Sequence, residues 1–329
     1  MTPLDDLATL NRLQLLITRR LDGMLHGDYL GLLPGLGSEP GEAREYRAGD
    51  DVRRMDWPVT ARTTVPHVRT TIADRELEAW LAIDLSASLS FGTVNCFKRD
   101  LAINATAAMA HLAGRGGNRV GALVSNGEDT KLIQARPGRA GARSLLHTVA
   151  SLPSPTPADE KRVKRHPFSF RKPPPLEQTP GTDLPGMIDR TARCARKRGF
   201  AAVISDFLGP TDWHRSLRKL AARQQVLCIE ISDPREREIP DVGLLDVVDP
   251  ETGQQVEVQT SDPKIRSAFA QAAQAQRESV ATAIRRAGAG HLQLSTDSDW
   301  LRDIVIFVGN QRNARVQGSR KSNTPTTGT

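Results

Sequence analysis

Apolar side chains at Leu4, Leu7, Leu10, Leu13, Ile17, Leu21 and Met24 return every three or four residues, the period of one helix face. They predict an amphipathic N-terminal helix that docks on a core. The run GLLPGLG at 31–37 breaks that pattern. Residues 38–75 are polar, rich in Arg and Asp and poorly periodic, so they read as an ordered but irregular segment. From residue 76 the period becomes two. Leu77, Ala79, Leu81 and Ile83 alternate with Glu76, Glu78, Trp80 and Ala82, and this strand ends at Asp84. The pattern then predicts a helix over 97–113, strands at 119–125 and 130–135 (the second shorter), and a helix over 139–151. A long loop follows at 152–181, kept irregular by eight prolines. Beyond it come a helix (183–198), a strand (200–206), a helix (213–223), a strand (225–232), a hairpin within 241–259, a helix (262–287), a strand from His291 and a helix from Trp300 to Val308.

Strands separated by helices of ten or more residues indicate parallel βαβ units. The expected fold is therefore an α/β doubly wound, mostly parallel sheet over 76–310. Residues 1–75 add the N-terminal helix and the irregular segment, and 311–329 form a polar tail expected to be disordered. Ligands of such sheets sit beyond the carboxyl ends of the strands, where the strand order reverses.

Composition narrows the function classes. The 329 residues are 38% hydrophobic and 25% charged, as in a globular protein. No apolar run approaches the roughly 18 residues of a membrane span, and the first residues lack the layout of a signal peptide. Cys96, Cys194 and Cys228 are too far apart for a disulfide framework or a C-x-x-C zinc site, so a cytoplasmic protein with free thiols is expected. The net charge is +7. Lys161, Arg162, Lys164, Arg165, Arg171 and Lys172 supply six bases in one stretch without an acid, which leaves +1 for the remainder. The charge excess thus reads as chiefly one loop. No H-E-x-x-H, G-x-S-x-G or phosphate-loop motif occurs.

Candidate chemistry lies at strand ends. Asp84, Ser86 and Ser88 form D-x-S-x-S at the end of the first core strand. A carboxylate and two hydroxyls at i, i+2 and i+4 of a loop can converge on a small hard cation, which takes oxygen ligands. The same serines also suit a helix cap. Thr182 opens a later helix and Asp206 ends a later strand, both at carboxyl-end positions of the same sheet. Asp84, Ser86, Ser88, Thr182 and Asp206 are thus the candidate ligands of a divalent cation, with Mg²⁺ expected.

This set resembles the metal-ion-dependent adhesion site of von Willebrand factor A domains, and all five positions match. The resemblance implies a cation with an open position that recruits a carboxylate from a protein partner. Upstream, Tyr46, Gly49, Asp50, Asp51, Arg53, Asp56 and Trp57, followed by Arg62, resemble the signature of the family named domain of unknown function 58. In that family the element precedes a von Willebrand A-like core. Ile204–Phe207, Ser232–Glu236 and Asp249–Gly253 also match, and the resemblance spans about residues 30–310. Leu89 stands where the family often has Met, a difference that removes no ligand oxygen. Members are commonly paired with MoxR-type AAA+ ATPases. The implied function is a non-enzymatic adaptor or co-chaperone.

From the residues alone, Asp50 is expected to cap a short helix through Arg53 to Trp57. Arg53, Arg54 and Arg62 are expected to form a charge network with Asp51 and Asp56, and Trp57 to supply a buried ring. Together they would staple the irregular segment to the sheet. Two rival functions follow from other features. One is a Mg²⁺-dependent hydrolase using Asp84, although Ser86 stands where a D-x-D phosphatase needs its second carboxylate. The other is nucleic-acid binding through 161–172, where Phe168 and Phe170 offer only a thin stacking platform.

Overall fold

In the computed structural model, which describes residues 15–21, 43–46, 52, 55–69, 77–114, 118–155, 183–248 and 255–310, the chain opens with helix α1 (15–21). Strand β1 (Ala43–Glu45), helix α2 (Trp57–Thr63) and strand β2 (His67–Arg69) follow. Then come β3 (Glu78–Asp84), α3 (Lys98–Gly114), β4 (Arg119–Ser125), β5 (Thr130–Pro137) and α4 (Gly138–Ala150). Next are α5 (Leu184–Cys194), β6 (Phe200–Ser205), α6 (His214–Ala221) and β7 (Gln225–Ser232). The chain continues through β8 (Leu244–Val248), β9 (Gln255–Gln259), α7 (Pro263–Ala287) and β10 (Gly290–Ser295), and α8 covers 300–310.

Six strands form the central sheet in the order β10-β7-β6-β3-β4-β5. Neighbours from β10 to β4 pair in parallel, and β5 runs antiparallel to β4 at the edge. This is the doubly wound, mostly parallel sheet that the alternation predicts. Side chains on a strand alternate between faces, and that parity sorts the core into two layers. Leu81 and Ile83 of β3, Val120 and Val124 of β4, Ala202 and Ile204 of β6, and Ile229 of β7 share one cluster with α1, α3, α4 and α8. Ala82, Leu123, Val203 and Cys228 point the other way, into a cluster with α5, α6 and the last turns of α7. Central strands buried on both faces need near-continuous apolar runs, as in the fully buried Phe200–Ser205.

The order in which strands are added reverses beside β3. From β3 the chain steps to β4 and β5, then returns to β6 on the other side of β3. The carboxyl ends of β3 and β6 therefore flank the switch point. α3 starts beside this point, where Lys98 meets Asp206, and runs into the core. Its buried residues go round most of its circumference, many of them alanines, as in a helix enclosed by the protein.

Several expectations change. Segment 38–75 is not wholly irregular: β1 and β2 pair antiparallel, α2 lies between them, and Met55 bridges to Val68. Three-residue strands are too short to show a period, which hid them. Strand β5 covers eight residues rather than six. Helix α5 stops at Cys194 rather than 198, because Arg196, Lys197 and Arg198 belong to the connection into β6. The expected N-terminal helix is seen at 15–21, where Ile17 and Leu21 are fully buried in the first cluster. The basic run 161–172 and the tail 311–329 lie outside the described residues.

Charge is also not confined to that run. Helices α5, α6 and α7 each lead into a parallel strand, so their carboxyl ends gather at the rim opposite the switch point. Arg193, Arg196, Lys197, Arg198, Arg218, Lys219, Arg223, Arg285 and Arg286 are exposed there. Bases at helix carboxyl ends suit the helix dipole. The described body thus has a second basic concentration that a linear charge count spreads out.

Gly199 precedes β6 where the backbone passes β3. A Cβ there would lie 2.2 Å from the Glu78 carbonyl oxygen. Gly199→Ala is expected to destabilise the fold by about 1–3 kcal/mol through this backbone overlap, read as a lower urea midpoint. An unchanged midpoint would show that the two strands separate freely.

Candidate metal centre

Asp84 ends β3 with its carboxylate buried. Its Oδ1 accepts from the Ser86 amide at 3.0 Å, and its Oδ2 accepts from Ser205 Oγ at 2.8 Å. The second bond crosses the switch point from β6. Ser86 then leads a 3₁₀ turn over Ala87–Ser90, which folds the hydroxyls of Ser86 and Ser88 to 3.1 Å from each other. Both serines are buried. The i, i+2, i+4 spacing therefore brings the three side chains to one place, as expected.

Asp206 follows β6. Its Oδ1 accepts from the Leu208 amide at 3.2 Å. The turn that allows this puts Phe207 in the left-handed region at φ 53°, which costs a non-glycine residue about 1 kcal/mol or more. Burial of the Phe207 ring offsets that strain. It packs edge-on against Trp213, with centroids 5.1 Å apart, and the Phe207 amide donates to Ser205 Oγ.

An ammonium also enters the site. Lys98, the first residue of α3, is fully buried and donates from Nζ to Asp206 Oδ2 at 2.9 Å. The same Nζ donates to Glu236. Glu236 is held in turn, its Oε2 accepting from the Asp233 amide at 3.0 Å in a capping box. Asp233 is fully buried. It accepts from the amide and hydroxyl of Thr93, the hydroxyl of Thr296 and the Arg235 amide. That one carboxylate ties the loop before α3 to the ends of β7 and β10.

The electrostatics follow from three carboxylates sharing one ammonium. Burial and then the neighbouring Asp206 charge push the Asp84 carboxyl up to about 6, against smaller opposing hydrogen bonds from Ser205 and Ser86. Burial also raises Glu236, despite Lys98. Burial alone would lower the Lys98 ammonium, but Asp206 and Glu236 outweigh it and hold the group above its usual value. Burial opposes the Asp233 charge, yet its four donors win and lower its pKa. The cluster is therefore short of positive charge, and its donors are all oxygen. That chemistry fits a hard divalent cation that keeps some of its waters. Among the described residues, no group of three or more His, Cys, Asp or Glu side chains is arranged to hold a metal, so carboxylates and hydroxyls would have to share the task.

Of the five candidate ligands, Asp84, Ser86, Ser88 and Asp206 meet at the switch point. Thr182 lies outside the described residues; the adjacent Asp183 caps α5, accepting from the Gly186 amide at 2.8 Å. Lys98, Ser205, Asp233 and Glu236 were not among the ligands expected from sequence. Ser205 and the Ser232–Glu236 run lay within matching segments, a usable signal. Lys98 gave none beyond being a base at the head of an apolar helix.

The signature segment departs from its expectation. Trp57 is 68% exposed, not a buried ring. It is the first residue of α2, whose apolar face is too short to draw it inward. Asp56 caps α2, accepting from the Val59 amide at 3.2 Å, while the helix expected over Arg53 to Trp57 with its Asp50 cap falls largely outside the described residues. Pro58 stands in the first turn, where its missing amide costs nothing. Tyr46 donates its amide to the Pro66 carbonyl, and exposed Arg62 donates to the Pro58 carbonyl. Gly49, Asp50, Asp51, Arg53 and Arg54 lie outside the described residues.

An acid whose folded pKa is raised binds more protons folded than unfolded, so its contribution falls as pH rises from 3.8 to about 6. Asp84→Asn removes that penalty. In chelator, the stability of Asp84→Asn relative to the parent is expected to improve between pH 4 and 7 by up to about 3 kcal/mol. Urea unfolding at both pH values measures it, and a difference that does not move with pH refutes it.

An uncharacterized protein of Mycobacterium tuberculosis is 50% identical over 311 residues, covering 94% of this chain and 91% of its own. An uncharacterized protein of Mycobacterium avium is 42% identical over 186 residues, covering 56% of this chain and 97% of its own. Solved structures with similarity include BatB from Bacteroides thetaiotaomicron, at 14% identity and TM-score 0.41, covering 72% of this chain and 99% of BatB. A von Willebrand factor type A structure from Catenulispora acidiphila has 10% identity and TM-score 0.35, covering 75% of this chain and 43% of its own. The model of the family described as protein of unknown function DUF58 matches residues 42–279, and the chain belongs to that family.

Proposed function

We propose that this protein is a non-enzymatic adaptor that binds another protein through a divalent cation at the β3–β6 switch point. The observation that carries the reading is the meeting of Asp84 and Asp206 with the Ser86 and Ser88 hydroxyls there. Asp84, Ser86, Ser88 and Asp206 would hold the ion, with Thr182 as a fifth candidate. Mg²⁺ suits this all-oxygen donor set. When bound, the ion supplies a coordination position for a carboxylate of the partner.

The chain's own residues supply the rest. Ser205 fixes Asp84 across the switch point, and Phe207 fixes the turn that carries Asp206. Asp233 holds the neighbouring loops in register. The set contains carboxylates, hydroxyls and a charged lysine, which suits binding better than turnover: among the described residues no histidine hydrogen-bonds to Ser86 or Ser88 to activate it. Among the described residues no helix is long and apolar enough to cross a membrane. The resemblance noted above makes a MoxR-type AAA+ ATPase the expected partner, with the adaptor presenting clients to it in the cytoplasm.

Binding of the purified chain to the MoxR-type ATPase of the same genome tests this. Affinity in Mg²⁺ is expected to fall at least about tenfold in chelator and equally in Asp84→Ala, a loss of about 1.4 kcal/mol or more. Binding that survives both treatments overturns the cation mechanism.

A further inference from the structure

Lys98 offers no oxygen to a site made of carboxylates and hydroxyls, yet its charge is fully buried in it. Its side chain is wholly buried. It starts α3, so its backbone is fixed by a helix enclosed in the core. Its Nζ contacts two carboxylates, one from each of two strand ends: Asp206 after β6 and Glu236 after β7. Asp206 is a candidate ligand of the cation. Glu236 is not; its other oxygen is committed to the Asp233 amide.

A carboxylate oxygen that carries an ammonium at 2.9 Å cannot also present its full charge to a divalent ion. One of the two cations has to yield. The backbone amide on Asp206 Oδ1 is neutral and leaves the carboxylate's charge in place. Lys98 does not. It is also provided with somewhere to go, because Glu236 is held in place by its capping box and already accepts from Nζ. A buried ammonium stripped of every partner is prohibitively costly, but one that gives up Asp206 and keeps Glu236 is not.

Resting on the cation reading above, we infer that Lys98 is a tethered counter-cation that competes with the divalent ion for Asp206 and so sets the ion's affinity low. Glu236 is the second berth that makes the exchange possible. The site then binds its ion weakly by itself, and a partner carboxylate adds to the hold. The arrangement makes metal occupancy and partner capture mutually reinforcing, since each gains from the other by the same factor.

Titration of the full-length chain with Mn²⁺, read by calorimetry and by the electron paramagnetic resonance signal of the free ion, tests this. An ammonium one carboxylate away from a divalent ion costs it about tenfold in affinity even under water-like screening. Lys98→Met is therefore expected to bind Mn²⁺ at least about tenfold tighter than the parent. It leaves Asp206 and Glu236 unpaired, so it is expected to fold less stably. The double variant Lys98→Met with Glu236→Gln keeps the site's net charge and removes the unpaired Glu, and it is also expected to bind tighter than the parent. Circular dichroism confirms that each variant is folded before titration.

Weaker or unchanged binding in the folded double variant overturns the competition and would make Lys98 a residue that positions Asp206. Asp84→Ala separates the two layers of the argument. If the parent binds Mn²⁺ and Asp84→Ala does not, the cation reading stands whatever Lys98 does. If neither the parent nor the Lys98 variants bind, both readings fall.

Discussion

Burying like charges together is the constraint around which this molecule is organised. Asp84, Asp206 and Glu236 are brought to the carboxyl ends of β3, β6 and β7, with one ammonium among them. Each carboxylate is then hemmed in by donors from other elements: Ser205 from β6, the capping box after β7, and Lys98 from α3. Removing Lys98 takes the ammonium from two carboxylates, Asp206 and Glu236, which is far costlier than never having buried the pair. The core supplies the rigidity that makes the arrangement tolerable. Strands β3 and β6 are apolar on both faces, so neither can shift without disturbing both layers.

Most of the framework was legible because its cause is periodic. Alternation in β3, β4, β6 and β7, and the three-to-four spacing in the helices between them, predict the elements and the parallel sheet. Asp84, Ser86 and Ser88 were legible because one turn of fixed spacing carries all three. Asp206 was legible by its place at a strand end. Lys98 was not, since nothing in a linear chain says that the head of α3 reaches two carboxylates more than a hundred residues away. Phe207 was hidden for a related reason. A left-handed backbone at a non-glycine residue depends on the Trp213 ring that packs on it, and propensity counts only the local cost.

The signature segment teaches a different lesson. A tryptophan in a strongly charged stretch is expected to be a buried ring because large rings are usually buried. Burial needs a surface to bury against, and α2 has seven residues with none of them buried. What holds the segment is backbone pairing of β1 with β2 and the Asp56 cap, interactions whose donors and acceptors are common to every residue and so leave little trace in composition.

One consequence of the fold lies in time rather than in space. Ile17 and Leu21 enter the same cluster as Leu301, Ile304 and Val308, and Arg20 pairs with Asp299 across 279 positions of sequence. Thr18 likewise meets His111. Helix α1 leaves the ribosome well before α8, yet α8 is part of the surface that receives it. β3 similarly waits for β6, 121 residues on, before the Asp84–Ser205 bond can close. Non-local pairing of this kind slows folding and leaves apolar surface uncovered during synthesis. Helix α1 is thus translated ahead of the elements that seat it, and until they arrive its apolar side chains are open to whatever holds nascent chains.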